Sequence, residues 1–293
     1  MFKGTGVAIV TPFSQNGEVD HKSLKKLINH IISGGIDFVV ALGTTSEAAT
    51  LTNAEKQEVM KSVVEFTDNR VPIIMGVGGN NTTAVVEMLK TLDFEGVSGI
   101  LSVAPYYNKP NQRGIYAHFA EISKNSPLPI IIYNVPGRTS SNISATTCLQ
   151  LANDFENIIA VKEASGNMAQ VMEILRDKPE GFSLFSGDDA LTFPMMTLGA
   201  EGVISVVANA YPAEFSKMLN LLSNNEDLNY ARRLHYSLLE FIDLLFADGN
   251  PAGIKAALEV MGIAENNLRL PMVAVSDAHY REIKEFVVGY KQP

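Results

Sequence analysis

The feature that most constrains this chain is an alternation repeated eight times. Short runs rich in Val, Ile and Phe are each followed by a segment whose apolar residues recur at helical spacing. The runs fall at 6–13 (GVAIVTPF), 37–43 (DFVVALG), 71–78 (VPIIMGVG), 99–105 (GILSVAP), 129–134 (PIIIYN), around Lys162 (IIAVKEASG, 158–166), 182–187 (FSLFSG) and 202–207 (GVISVV). They lack strict polar alternation, as parallel strands covered on both faces do. Between them, Leu24, Leu27, Ile28 and Ile31 keep helical spacing, as do Val59, Val63 and Phe66, and Val85, Met88, Leu89 and Leu92. Thr52 with Glu55 reads as a capping box. Asn81 or Thr82, and Ser144, read as N-caps. Gly34-Gly35 and Gly96 are expected to end helices. Eight such repeats fit an α/β chain closed as a TIM (β/α)8 barrel better than an open doubly wound sheet. The repeat fills 1–225, the expected catalytic domain. Residues 226–293 read as a C-terminal helical extension, with helices over 230–247, from Pro251, and over 276–290. Its stripe of Leu238, Leu239, Phe241, Ile242, Leu244, Leu245 and Phe246 must pack on the barrel or on another subunit.

Bulk properties exclude several function classes. A net charge of −9 argues against nucleic acid, whose backbone calls for basic stripes. One cysteine, Cys148, allows no internal disulfide and no Cys-based metal site, and reads as core packing. The five histidines are scattered without ligand spacing, so no metal is expected. No signal peptide and no apolar run of about 20 residues is seen, so a soluble cytoplasmic protein without membrane contact is expected.

Barrel enzymes collect chemistry at the C-terminal ends of their strands. The sixth run carries Lys162, a cation in an apolar strand; the other lysines sit in polar or helical contexts. Burial would lower its pKa and make a neutral amine nucleophile. On the stretch alone, a lysine snorkelling from a strand end serves as well. The second run ends in Gly43-Thr44-Thr45-Ser46-Glu47, whose hydroxyls and backbone N–H groups suit a carboxylate, though an ordinary helix-capping loop explains it alone. The third ends in GVGGN, which lacks the last glycine of a dinucleotide fingerprint and reads as a tight turn. The fourth ends in Tyr106-Tyr107, an interface pair or a proton relay. The fifth gives Tyr133 at the strand end and Arg138 in a Pro-Gly loop, a carboxylate clamp or a surface arginine. The seventh ends in Asp188-Asp189, which reads as a helix N-cap. One lysine, phenols, a threonine pair and an arginine fit carbonyl chemistry through a Schiff base.

GVAIVTPF at 6–13, Gly43-Thr44-Thr45 with Glu47, Tyr106-Tyr107, YNVPGRT at 133–139, VKEASG at 161–166 and SGDD at 186–189 together resemble the dihydrodipicolinate synthase family. That family lies in the pyruvate-dependent class I aldolase superfamily with N-acetylneuraminate lyase. The resemblance covers essentially the whole chain, and its fifth- and sixth-strand motifs are specific in their order and spacing. It implies condensation of pyruvate with L-aspartate 4-semialdehyde to 4-hydroxy-tetrahydrodipicolinate, in diaminopimelate and lysine biosynthesis. It implies that Lys162 forms the imine with pyruvate, that Tyr133, Thr44 and Tyr107 relay protons, and that Tyr107 comes from a neighbouring subunit. Thr45, with backbone at Gly187 and Ile204, is implied to hold the pyruvate carboxylate, and Arg138 that of the semialdehyde. No cofactor is implied, and a homo-oligomer, at least a dimer and up to a tetramer. A sugar-acid lyase such as one acting on N-acetylneuraminate is the alternative, and a keto-acid-binding barrel without catalysis a third reading. Ser46 stands where the family has glycine. In the family's lysine-inhibitor pocket Asn80 and Tyr106 match, but Ala84 replaces a glutamate and Lys56 a histidine. Weak or absent lysine feedback is the expectation.

Overall fold

The computed structural model describes residues 2–293. Eight strands form, β1 (Gly4–Ala8), β2 (Phe38–Ala41), β3 (Ile73–Gly76), β4 (Gly99–Val103), β5 (Ile130–Asn134), β6 (Ile158–Glu163), β7 (Ser183–Ser186) and β8 (Gly202–Ser205). They close into a barrel in the order β1 to β8, as the eightfold alternation predicts. Most are shorter than their apolar runs. In the first run, Ile9 N–H still donates to the Val40 carbonyl, but Val10 N–H turns to the Asn209 side chain at 3.2 Å. Pro12 then has no N–H to offer a ladder. The apolar residues that follow line loops instead.

Residue contacts divide the chain into two compact units, Met1–Ile73 with Ser205–Pro293, and Ile74–Ile204. In the first, the helix His21–Ser33 buries Leu24, Leu27, Ile28 and Ile31, the stripe expected from spacing. The helix Asn53–Thr67 opens on the Thr52–Glu55 capping box. The long helix Leu228–Ala247 starts two residues ahead of the expected position because Asp227 caps Tyr230 N–H at 2.9 Å. Its stripe is covered within the unit: the Phe241 ring stacks on Phe286 at 5.1 Å between centroids and meets Tyr211 edge-on at 5.0 Å. The helix Ala252–Val260 buries every side chain from Ala252 to Leu258. Asp277–Gly289, capped by Ser276, is the last helix.

In the second unit, Asn81 caps Thr82–Thr91 and Ser144 caps Ala145–Asp154. Gly96 does not end a helix. The helix before it stops at Thr91; Asp93 then accepts from Glu95 N–H at 3.0 Å, and Gly96 serves the turn at φ 73°. Gly78 is needed for close approach, since a Cβ there would lie 3.0 Å from the Val103 backbone nitrogen. The β5–β6 ladder is irregular. Ile130 pairs with Ile158 but Ile131 pairs with Ala160, so Ile159 is passed over. That step sets Tyr133 opposite Lys162 and Asn134 opposite Glu163.

Candidate active site

Lys162 lies one residue from the end of β6 and is 5% exposed. Its strand explains the burial: Ala160, Val161 and Lys162 all pack inside the barrel wall. The ammonium sits 4.4 Å from the centroid of the Tyr133 ring, and Tyr133 is itself buried at the end of β5. Burial pulls the amine from its ordinary 10.5 down to about 8; Asp189 opposes the fall and Arg138 adds to it. A lysine so placed is partly neutral near pH 7, which is what a nucleophilic amine needs. The snorkelling alternative does not hold here.

Three more sequence candidates belong to the same unit. Arg138 is carried not on an open loop but on the single helical turn Pro136–Thr139, started by Pro136 and closed by Thr139 N–H to the Val135 carbonyl. Its charge reaches Lys162. Gly187 follows β7 and crowds the lysine: a Cβ there would lie 2.7 Å from Ala164 Cβ and 3.0 Å from Lys162 Cε. Gly187→Ala is expected to keep the fold, with an unchanged urea midpoint, and to lose turnover by about 10- to 100-fold through displacement of the amine. Ile204 is buried on β8, the strand paired with β7 through Ser186 and Val203. Asp188 caps the turn after β7, donating nothing and accepting from Ala190 N–H at 3.0 Å, as expected of an N-cap. Asp189 is buried and acts on Lys162, a role the capping reading missed.

Tyr106 and Tyr107 follow β4 in a loop clamped to the turn after β3. Asn80 Nδ2 donates to the Tyr106 carbonyl at 3.1 Å and Asn108 Nδ2 to the Asn80 carbonyl at 3.0 Å. Tyr107 takes the left-handed backbone (φ 72°) and is 88% exposed. For a bulky residue that conformation is strained and marks a constraint. The structure does not bring Tyr107 to Lys162 within this chain by any contact seen.

Thr44 and Thr45 belong to the other unit, after β2. Thr44 is exposed; Thr45 is buried, and its hydroxyl accepts from Asn250 Nδ2 at 3.0 Å. Ser46, the departure from glycine, donates its hydroxyl to the Ile9 carbonyl at 2.6 Å. The serine thus ties the loop to the end of β1. Glu47, at φ 52°, forms an ion pair with Lys255 at 2.5 Å, both side chains essentially without solvent. Lys255 Nζ also donates to the Asn267 carbonyl at 2.8 Å and lies 4.1 Å from the Phe13 ring centroid. Arg269 N–H donates to the second Glu47 oxygen at 3.1 Å. Lys162 is therefore not the chain's single buried lysine. The signal was present in the sequence: Lys255 stands in PAGIKAALEV, as apolar as the sixth strand. Among the described residues, no group of three or more His, Cys, Asp or Glu could hold a metal ion. Cys148 is buried, and burial with nearby Glu163 pushes its thiol up. No helix among the described residues is long and apolar enough to cross a membrane.

A closed parallel barrel with a buried, partly neutral lysine against a phenol at adjacent strand ends defines a class of protein, the (β/α)8 barrels equipped for amine–carbonyl chemistry. Comparison with known proteins narrows the class. The model of the dihydrodipicolinate synthetase family matches residues 1–288, and the chain belongs to that family. It is 52% identical to the 4-hydroxy-tetrahydrodipicolinate synthase of Parabacteroides distasonis over 97% of this chain and 95% of that one. Among solved structures, the dihydrodipicolinate synthase of Aquifex aeolicus superposes with a TM-score of 0.95 at 40% identity, covering 100% of this chain and 99% of the other. That of Thermotoga maritima does so with 0.96 at 35% identity, covering 99% of each.

Proposed function

We propose that this chain condenses pyruvate with L-aspartate 4-semialdehyde to 4-hydroxy-tetrahydrodipicolinate, and that Lys162 is the amine that carries pyruvate. The observation that carries the reading is the buried Lys162 beside Tyr133. Its neutral amine attacks the pyruvate C2 carbonyl; water leaves and an iminium forms. Loss of a C3 proton gives an enamine, whose C3 attacks the aldehyde carbon and makes the new C–C bond. The amino group of the semialdehyde then displaces Lys162 and closes the ring. The imine supplies the electron sink, so the proposal needs no resident cofactor.

The resemblance supplies the remaining roles. Tyr133, Thr44 and Tyr107 pass protons, Thr45 with the Gly187 and Ile204 backbone holds the pyruvate carboxylate, and Arg138 holds that of the semialdehyde. Supporting them are the contact of Tyr133 with Lys162, the anchored Thr45 hydroxyl and the charge of Arg138 beside the amine. Tyr107, strained and projecting into solvent, suits a group lent to a second copy, so we take the working form as at least a dimer. Sedimentation showing only monomer with full turnover would contradict that. The helical residues 226–293 and a cytoplasmic setting belong to the same proposal. Ala84 and Lys56 leave a lysine inhibitor without its carboxylate and facing a cation, so L-lysine at millimolar concentration is expected to leave turnover unchanged.

Turnover decides between this reading and a sugar-acid lyase. Pyruvate with L-aspartate 4-semialdehyde should yield product in a coupled reductase assay, while N-acetylneuraminate should not be cleaved. The reverse result would reassign the substrate. The pH dependence carries the lysine's sign: the neutral amine fraction grows as pH rises through about 8, so the rate of imine formation should climb about tenfold per unit below pH 8 and level above it.

A further inference from the structure

On the face of β5 and β6 opposite Tyr133 and Lys162 lies a second pair that the proposed chemistry does not use. Asn134 and Glu163 sit directly across the ladder, 0% and 2% exposed. The Glu163 carboxylate accepts from Asn134 Nδ2 at 3.0 Å, Gln170 Nε2 at 2.9 Å and Ser165 N–H at 2.7 Å. Each of these donors is neutral. Asn134 is held in turn: its Oδ1 accepts from Ile143 N–H at 2.9 Å, and its Nδ2 donates to Asn142 Oδ1 at 2.8 Å. Asn142 Nδ2 closes the network on Gln170 Oε1 at 2.9 Å.

A buried carboxylate without a cation costs stability, and an apolar pair would pack this face as well. The ladder supplies a reason for keeping it. Because Ile159 is passed over, β5 and β6 have two available registers. In the regular one, Ile131 would face Ile159, Tyr133 would face Val161 and Asn134 would face Lys162. A one-residue slip moves side chains to the opposite face of a strand. The phenol would then no longer share a face with the amine. Apolar residues at 130–132 and 158–161 are nearly interchangeable between the two registers, so they discriminate weakly. Asn134–Glu163 discriminates strongly, because the slipped ladder would leave a buried carboxylate and carboxamide without their partners.

We propose that Asn134 and Glu163 are positioning residues that lock the β5–β6 register and thereby hold Tyr133 against Lys162 for proton transfer. The inference rests on the reading of Lys162 as the imine-forming amine and Tyr133 as its proton-transfer partner. The groups that shift Lys162 are its burial, Asp189 and Arg138, so Glu163 works through geometry and not through its charge.

The test compares wild type, Glu163→Gln, and the exchanged pair Asn134→Asp/Glu163→Gln, in which one carboxylate and one carboxamide still face each other. Borohydride with pyruvate is applied first to wild type; absence of an adduct on Lys162 there would remove the reading of the site itself. With the adduct present, Glu163→Gln is expected to label on Lys162 like wild type. Its kcat should fall about 10- to 100-fold, the scale of a small misplacement of reacting groups, with KM for pyruvate moving less than about threefold. The limb of its pH profile near 8 should stay in place. The exchanged pair should recover kcat to within about threefold of wild type, as expected when paired hydrogen-bonding groups couple. Should Glu163→Gln misfold, the exchanged pair alone decides, by its turnover. Wild-type turnover in Glu163→Gln, a rise in KM matching the fall in kcat, a moved pH limb, or an exchanged pair as slow as the single variant would each overturn the proposal.

Discussion

Lys162→Arg is expected to fold like the parent and to lose turnover by about 10⁴-fold or more, the scale of removing an essential nucleophile. The guanidinium keeps a cation beside Asp189 but stays charged at every working pH, so it has no lone pair for a carbonyl. Burial, which in the parent pulls the amine down to about 8, cannot bring arginine into range. The same burial has a cost with a defined sign. Between about 8 and 10.5 the unfolded lysine binds more protons than the folded one, so the lysine's penalty on stability is full below that window and fades as pH rises through it. Circular dichroism and urea unfolding establish that the variant is folded, and a coupled assay reads turnover. Residual turnover within tenfold of the parent would mean that another group carries pyruvate.

The second large effect is on stability. Glu47→Ala strands Lys255, which is 0% exposed, with only the Asn267 carbonyl and the Phe13 ring for company. Removing one member of a buried ion pair costs about 3–5 kcal/mol, because the other charge stays buried. Burial already pulls Lys255 down to about 8 against the opposing attraction of Glu47, so without Glu47 the amine falls further. The double variant Glu47→Leu/Lys255→Met removes both charges and should be less destabilised than Glu47→Ala. It still loses the acceptor of Arg269 N–H, so it should not reach the parent. Urea midpoints measure all three. A Glu47→Ala protein within about 1 kcal/mol of the parent would show that the pair is not a mainstay of this unit.

The barrel was legible because its signal is long-period and redundant. Eight apolar runs fall in sequence order, and the closed order β1 to β8 follows from them. Caps such as Thr52–Glu55 and Ser144 were legible for a local reason, since their partners lie three residues away. The strand ends were harder. Loss of a ladder bond at Val10 depends on Asn209, a residue 199 positions distant. The passed-over Ile159 leaves no mark in composition, because Ile158, Ile159 and Ala160 suit either register. Lys162 and Tyr133 could be named from strand-end position alone. Lys255, Asn250 and the Asn134–Glu163 network could not, because their partners lie on other elements. Arg138 was placed in a loop because Pro-Gly reads as a turn, whereas Pro136 opens a helical turn there.

The central claim is that Lys162 carries pyruvate as an imine. Its most direct measurement is sodium borohydride reduction of the protein with pyruvate, followed by digestion and mass mapping of the peptides. A covalent pyruvate-derived adduct on Lys162 alone, absent without pyruvate and absent in Lys162→Arg, is the predicted result. No adduct, or an adduct on another lysine such as Lys255 with Lys162 unmodified, would contradict the account.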